Sequence, residues 1–129
     1  MLWQSGPGGG IMDAMTPEQT ALLDRVRALI ADQSAVREVS MFGGRSVMVN
    51  EKMIVSVLKD GGLLVRVDAA VHEELLGRPG ATQAQMGEGR DMGPGWIRVA
   101  ADVVQDDEQL SDWVGIAMAY NRRLTGGRS

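Results

Sequence analysis

The stretch REVSMFGGRSVMVNEKMIVSVLKDGGLLVRVD, residues 37–68, decides the fold because its apolar residues recur with a period near two. That period places apolar side chains on one face of a β-strand and polar ones on the other. Short turn-forming segments separate four such runs, so the stretch predicts an antiparallel meander with one face on a core. The apolar residues that carry the pattern are Val39, Met41, Val47, Val49, Met53, Val55, Val57, Leu63, Val65 and Val67.

Two glycine-containing segments lie between these runs, and we interpret both as structural turns. Gly43-Gly44 has strands on both sides, no following helix and no P-loop lysine, so a hairpin turn or bulge is favoured over a phosphate cradle. Glycine there allows a positive φ or a close backbone approach. Asp60-Gly61 is a typical hairpin turn. Asn50-Glu51 suits a two-residue turn less well, which favours a longer turn or one of another type.

Helical patterns flank the strands. Thr16-Pro17-Glu18-Gln19 has the composition of a capping box, and helical spacing continues to about Asp32. A short helix follows Asp68, with Val71, Leu75 and Leu76 on its buried side. The last helix begins at Asp106 or Asp107 and carries an apolar stripe. That stripe is Leu110, Trp113, Val114, Ala117, Tyr120 and Leu124, with Asn121 and Arg122 solvated beside it.

The resulting element order is α-β-β-β-β-α-β-α, a two-layer α+β domain with helices on an antiparallel sheet of about five strands. Trp96-Ile97-Arg98-Val99 supplies the fifth strand, after a glycine-rich connection over residues 77–95. We expect a disordered leader over residues 1–15, a folded domain over 16–125 and a flexible tail over 126–129.

Composition restricts the classes of function. The chain has 129 residues, a formal net charge of −4 and no cysteine, which disfavours direct nucleic-acid binding and excludes disulfides and thiol chemistry. No apolar run approaches the ~20 residues that cross a bilayer, and no signal peptide is recognisable. These features predict a cytoplasmic protein without a membrane partner.

The glycine-rich connection is the one candidate ligand site, for a small anion. Glycine frees backbone N–H groups, and arginine pairs well with phosphate or carboxylate. The candidate residues are Arg45, Arg78, Arg90, Gly87 and Gly89. The competing interpretation is a structural loop that packs its methionines over the edge of the sheet, and it is favoured because the dinucleotide fingerprint fails at Met92.

No catalytic set, metal site or cofactor is predicted. His72 is the only histidine, and we interpret it as a solvated helix residue, since one histidine cannot make a typical His-rich metal site. Ser40, Ser46 and Ser56 lie in strand patterns rather than at a nucleophile elbow. The nine methionines suit either core packing or an adaptable binding surface. We expect core packing for Met41, Met48 and Met53, whereas Met86 and Met92 could line an exposed groove.

Several segments, in this order, resemble one known family: MFGGRSVMVNEKM, DGGLLVRVD, LLGRPGA, MGEGRDMGPGWIRV and LSDWVGIAMAYNRRL. Together they are similar to the N-terminal domain of the TfoX/Sxy family, over about residues 20 to 124. The resemblance implies an α+β fold similar to type III secretion chaperones. It also implies kinship with bacterial regulators of natural competence that act with a cyclic-AMP receptor protein.

Full-length competence regulators of this family carry a second, helical domain, which this sequence lacks, so it looks like a stand-alone form. The resemblance supplies no catalytic residues. We therefore expect a non-enzymatic regulator of transcription or competence that acts through a protein partner. A homodimer is compatible with the fold analogy. The alternative function is binding of a small anionic ligand by the loop 77–95.

Overall fold

A computed structural model describes residues 15–41, 44–85 and 89–126. They form one antiparallel sheet of six strands with helices packed on it, which confirms the predicted α+β class. The expected leader and tail lie outside the described residues, apart from Met15 and Gly126, as do Gly43 and Gly87. Within the described ranges, no helix is both long and apolar enough to cross a membrane.

The sheet has the spatial order β1-β2-β3-β4-β6-β5. The strands are β1 Val36–Met41, β2 Gly44–Val49, β3 Lys52–Leu58, β4 Leu63–Arg66, β5 Ala81–Gln83 and β6 Trp96–Val99. The first four follow the predicted meander. β5 was not predicted, because three residues are too few for a recognisable period; it forms by pairing with β6 at the edge of the sheet.

The described ranges contain four α-helices: α1 Pro17–Leu29, α2 His72–Leu75, α3 Ala101–Val104 and α4 Asp107–Leu124. The capping box of α1 is confirmed, since the Thr16 side chain accepts from the Gln19 N–H and Gln19 accepts from the Thr16 N–H. Asp106 caps α4 through the Gln109 N–H, and Asp68 caps the single 3₁₀ turn before α2. α3 was not predicted, because four residues are about one helical turn.

The turn between β2 and β3 differs from the expectation. Asn50 and Glu51 have φ values of 53° and 66°, so two residues suffice to reverse the chain. Positive φ at both central positions is typical of a type I′ turn, which matches the twist of the paired strands. Glu51 therefore adopts a backbone conformation that is unfavourable for a side-chain-bearing residue.

The main core lies between one face of the sheet and the helices α1 and α4. We call that face of the sheet the helix face. The buried side chains of the core include Leu23, Val55, Leu63, Ile97 and Trp113. A bulge in β3 places two consecutive residues, Ile54 and Val55, on this side. Val47 pairs with Val55 but Met48 pairs with Met53, so Ile54 is the extra residue of the bulge. Ile54 is fully buried in the same cluster.

The surface expectations for Val71, Leu124 and Asn121 were wrong. Val71 and Leu124, expected on buried faces, are 38% and 40% exposed. Asn121, expected to be solvated, is buried, and its Nδ2 donates to the Val49 carbonyl at 2.9 Å. Burial depends on which element packs against a helix, and helical spacing alone does not give that direction.

Candidate protein-contact surface

The sheet face opposite α1 and α4 carries a second, smaller apolar cluster. We call it the open face and define it by Met48, Met53, Leu58, Leu64, Ala84, Met92 and Trp96. In this cluster Met53, Leu64 and Ala84 are buried, whereas Met48, Leu58, Met92 and Trp96 are half-buried and pack over them. The open face therefore presents flexible and aromatic apolar side chains to solvent.

Strand alternation explains why these residues share a face. Leu63 and Val65 point into the main core, so Leu64 between them points the other way. In β6, Ile97 and Val99 lie in the main core and Trp96 lies on the open face. Alternation along each strand therefore supplies apolar residues to both faces of the sheet.

The described residues test the expected positions of Met48, Met53 and Met92. Met53 packs in a buried cluster, as predicted. Met48 is only half-buried, because none of the helices in the described ranges packs on the open face. Met92 lies over Leu64 and Ala84 on the sheet, as the structural interpretation of the glycine-rich connection expected. The methionine content of the sequence indicated such a surface. It did not indicate which side of the sheet each methionine side chain would face.

Arginine side chains border the open face. The Arg66 guanidinium lies 5.1 Å from the centre of the Trp96 ring and 5.9 Å from that of Tyr120, within the range of cation–π interactions. Arg98 forms an ion pair with Asp60, and Arg37 with Glu51 at 2.8 Å. By strand register Arg37, Arg66 and Arg98 share the orientation of Met48, Leu64 and Trp96. Trp, Met and Arg are the residues enriched in protein interfaces.

The expectation that His72 is a solvated helix residue was wrong, because its side chain is buried and hydrogen-bonded. It is 2% exposed, and its Nδ1 accepts from the Gly95 N–H at 2.9 Å. Nε2 lies 2.8 Å from Gln83 Oε1, and the Gln83 amide nitrogen donates to the carbonyls of Gly93 and Trp96. These bonds hold the end of the glycine-rich connection against α2 and β5, beneath the loop that carries Met92.

The residues proposed for an anion site are dispersed. Arg45 lies on β2, four strand positions from β5, or about 19 Å at 4.8 Å per strand. Arg78 precedes β5; its guanidinium is 5.6 Å from the centre of the Trp113 ring and 3.8 Å from Asp112. Arg90 is exposed after Gly89, which has a φ of 70°. Arg45 is therefore too distant to join the other two, and ligand binding by Arg78 or Arg90 stays a prediction.

A bidentate ion pair lies on the helix face. Arg27 Nε and Nη2 each donate to one oxygen of Glu38, both at 2.7 Å, so α1 is joined to β1. This bidentate hydrogen bond is the main cause that lowers the pKa of Glu38, and it raises the pKa of Arg27. Arg27 Nη1 also donates to Asp24 on the same helix at 3.0 Å, so the guanidinium is held by two carboxylates and has a structural role.

A groove of about 810 Å³ lies beside the C-terminal half of α4. Its titratable lining residues are Asp68, Tyr120, Arg122 and Arg123. Asp68 is already engaged, because its Oδ1 accepts from the Ala70 N–H and its Oδ2 from Arg123. Among the lining residues that the structure describes, none is a nucleophile paired with a base.

The comparison with protein families gives one result. A family model described as the TfoX N-terminal domain matches residues 28–120, which is more than half of the 129-residue chain. The matched range contains all six strands and every residue of the open face. No curated protein matches the sequence.

Proposed function

Because this chain belongs to the TfoX N-terminal domain family, we propose that it is a non-enzymatic regulator that acts by binding another protein through its open face. The observation that carries the proposal is the apolar cluster of the sheet that no described helix covers, with half-buried Met48, Leu58, Met92 and Trp96 next to arginine side chains. The regulated process is transcription, the role that the family resemblance implies.

The chemistry of the open face defines the partner it fits. Methionine side chains adapt to different apolar shapes, and Trp96 supplies a rigid aromatic anchor. Arg66 stacks on that anchor and keeps its positive charge at the surface. The complementary partner is a protein segment with apolar residues flanked by Asp or Glu. Electrostatic attraction of this kind raises the association rate and becomes weaker with added salt.

The test is affinity capture from a lysate of the source organism, with the wild-type chain and two variants as bait. Met48→Glu places a charge on the open face. Val36→Glu is the matched control, since Val36 is an exposed β1 residue outside that face, at 38% exposure. We expect both the wild type and Val36→Glu to capture a transcription-related protein, and Met48→Glu to lose it.

Two results would overturn the proposal. One is capture of no transcription-related protein, together with an unchanged transcript profile after deletion of the gene. The other is equal capture by the wild type and Met48→Glu, which would place the contact elsewhere. Circular dichroism of each bait shows that the fold is kept.

A second candidate function is binding of a small anion near Arg90. The observation in its favour is that Arg90 is exposed between glycines with positive φ, Gly89 and Gly93, and makes no ion pair with any described residue. Thermal shift with phosphorylated metabolites tests it, since a ligand at 100 times its Kd stabilises by about 2.7 kcal/mol. A flat response, or an equal response in Arg90→Ala, would remove this candidate.

A further inference from the structure

The side of α4 that faces solvent carries an ordered set of residues. Leu110, Trp113, Val114, Ala117, Met118 and Asn121 are buried toward the sheet, so the opposite side of the helix is uncovered. At about 100° per residue, five exposed residues lie within about 40° of one line along that side. From the N-terminal end they are Glu108, Ser111, Gly115, Ala119 and Arg122.

Gly115 lies at the centre of this line, and no described residue outside its own helix requires a glycine there. Glycine inside a helix costs about 0.5–1 kcal/mol relative to alanine. A Cβ added at Gly115 would meet no atom within 4 Å, so no neighbour in the described fold requires its absence. A missing side chain on an exposed helix face is useful when a second helix approaches closely, because side-chain size sets the interaxial distance.

The residues along this line are arranged symmetrically in size, and oppositely in charge, on the two sides of Gly115. Ser111 and Ala119, both small, each lie four residues from Gly115. Glu108 and Arg122, of opposite charge, each lie seven residues from it, or about 10 Å along the axis. If a second α4 crosses at Gly115 in the antiparallel direction, Glu108 of each chain faces Arg122 of the other. The small residues then face each other at the crossing.

We infer that two copies of this chain associate through α4, antiparallel about a two-fold axis at Gly115. A two-fold interface requires a self-complementary surface, and this line of residues satisfies that requirement. Among the described residues, neither Glu108 nor Arg122 forms an ion pair within its own chain. They are about 21 Å apart along the same helix, so they cannot neutralise each other in the monomer.

The surroundings of the helix widen the contact. A groove of about 230 Å³ on one side is lined by Leu29, Ser111 and Gly115, and the 810 Å³ groove on the other by Val71, Ile116 and Ala119. Leu29 and Val71 are among the large apolar residues that are exposed, at 41% and 38%. A second copy seated on α4 would remove apolar surface on both sides from water, which favours association.

The size of the face sets the expected affinity. α4 has 18 residues, so it is about 27 Å long, and a helix with its side chains is about 10–12 Å across. The helix alone therefore offers roughly 300 Å² per chain, and the walls of the two grooves add to it, which places the contact at the low end for specific interfaces. We therefore expect a dimer that dissociates on dilution into the micromolar range.

Charge exchange tests the inference with the full chain, by sedimentation equilibrium over a range of concentrations. Glu108→Arg and Arg122→Glu each place like charges opposite one another twice in the dimer, so each variant should dimerise at least ~tenfold more weakly. An equimolar mixture of the two should recover wild-type affinity as a heterodimer, because opposite charges then face each other at both positions. The double variant Glu108→Arg/Arg122→Glu should likewise recover it.

Gly115→Leu is the steric test. Leucine favours the helix and its Cβ has room in the monomer, so this variant should melt no lower than the wild type when dilute, yet lose the dimer. A wild type that stays monomeric at millimolar concentration would overturn the inference. So would a dimer that is unaffected by these changes, or failure of the mixture to recover affinity. Met48→Glu, on the open face, should dimerise normally, so the two proposals fail separately.

Discussion

At the residue scale, Glu38 and Gly44 show how local chemistry is decided by neighbours distant in the chain. Glu38 lies on β1, and its carboxylate is held by two donors of Arg27 on α1. Gly44 lies on β2, where an added Cβ would come 2.3 Å from the Val57 carbonyl oxygen on β3. Glycine is required there by the close approach of the neighbouring strand, since a side chain would displace it.

Glu38→Gln should lower stability in a pH-dependent way. The pKa of Glu38 is lowered in the folded state by the Arg27 hydrogen bonds, so its contribution is fully present above the unfolded value of about 4.3. It is lost as the pH falls through the folded pKa. Urea unfolding should show a deficit of about 1 kcal/mol at neutral pH that shrinks in acid.

The control for this measurement is Asp112→Asn, because its carboxylate lies 3.8 Å from Arg78 and both side chains are well exposed. That variant should change stability little at any pH. A deficit in Glu38→Gln of equal size at neutral and strongly acid pH would show that the ion pair is not its source.

At the element scale, different interactions hold the hairpin between β2 and β3 and the connection before β6. The hairpin closes through two residues with positive φ, Asn50 and Glu51. The connection is held by the buried His72 and Gln83, which bind backbone groups of Gly93, Gly95 and Trp96. Turn chemistry fixes the first locally, whereas side chains from other elements fix the second.

Glu51→Gly should stabilise the protein. Glycine adopts the φ of 66° without the cost of about 1 kcal/mol that a side-chain-bearing residue meets, and Asn-Gly is the favoured type I′ pair. The exposed ion pair of Glu51 with Arg37 is lost, which removes about 0.5 kcal/mol or less. Thermal unfolding should show a net gain of about 0.5 kcal/mol.

Glu51→Ala separates the two effects, since it removes the ion pair and keeps the unfavourable φ. It should be equal to the wild type or slightly less stable. If Glu51→Gly were less stable than Glu51→Ala, relief of the backbone conformation would not be the dominant effect.

At the scale of the whole molecule, the two sides of the sheet differ in how much apolar surface they bury. The helix face buries the large core between the sheet and the helices α1 and α4, and the open face has the smaller cluster under half-buried side chains. Because α4 lies on the helix face, a dimer through α4 would turn the two open faces away from each other. Two outward faces allow bivalent binding, which raises avidity without new contacts.

Two leucines of one hairpin compare the sides directly. Leu63 is fully buried on the helix face, whereas Leu58 is half-buried on the open face. Leu63→Ala should cost about 2–5 kcal/mol through lost burial and a cavity, and Leu58→Ala about 1 kcal/mol. Urea titration measures both. Equal losses would mean that the open face is as important to the fold as the helix face.

Local signals in the sequence were sufficient for the elements that they specify. The period of two over residues 37–68 gave four strands, and Thr16, Gln19 and Asp106 gave helix starts that the structure confirms. The site was predicted less well. Methionine content indicated an adaptable surface, but nothing in the sequence showed which side of the sheet would remain uncovered.

The sequence by itself determined the α+β class and the meander, because alternation, capping and turn residues act between near neighbours in the chain. The family was indicated separately, by several segments that resemble it in the right order. Only the tertiary structure decided that β6 inserts between β4 and β5, that His72 and Asn121 are buried, and that Val71 is exposed. The physical reason is that burial and strand order depend on partners many residues away. The residues along the exposed line through Gly115 can likewise be found in the sequence. That they share the exposed side of α4 could be seen only once the buried side of that helix was known.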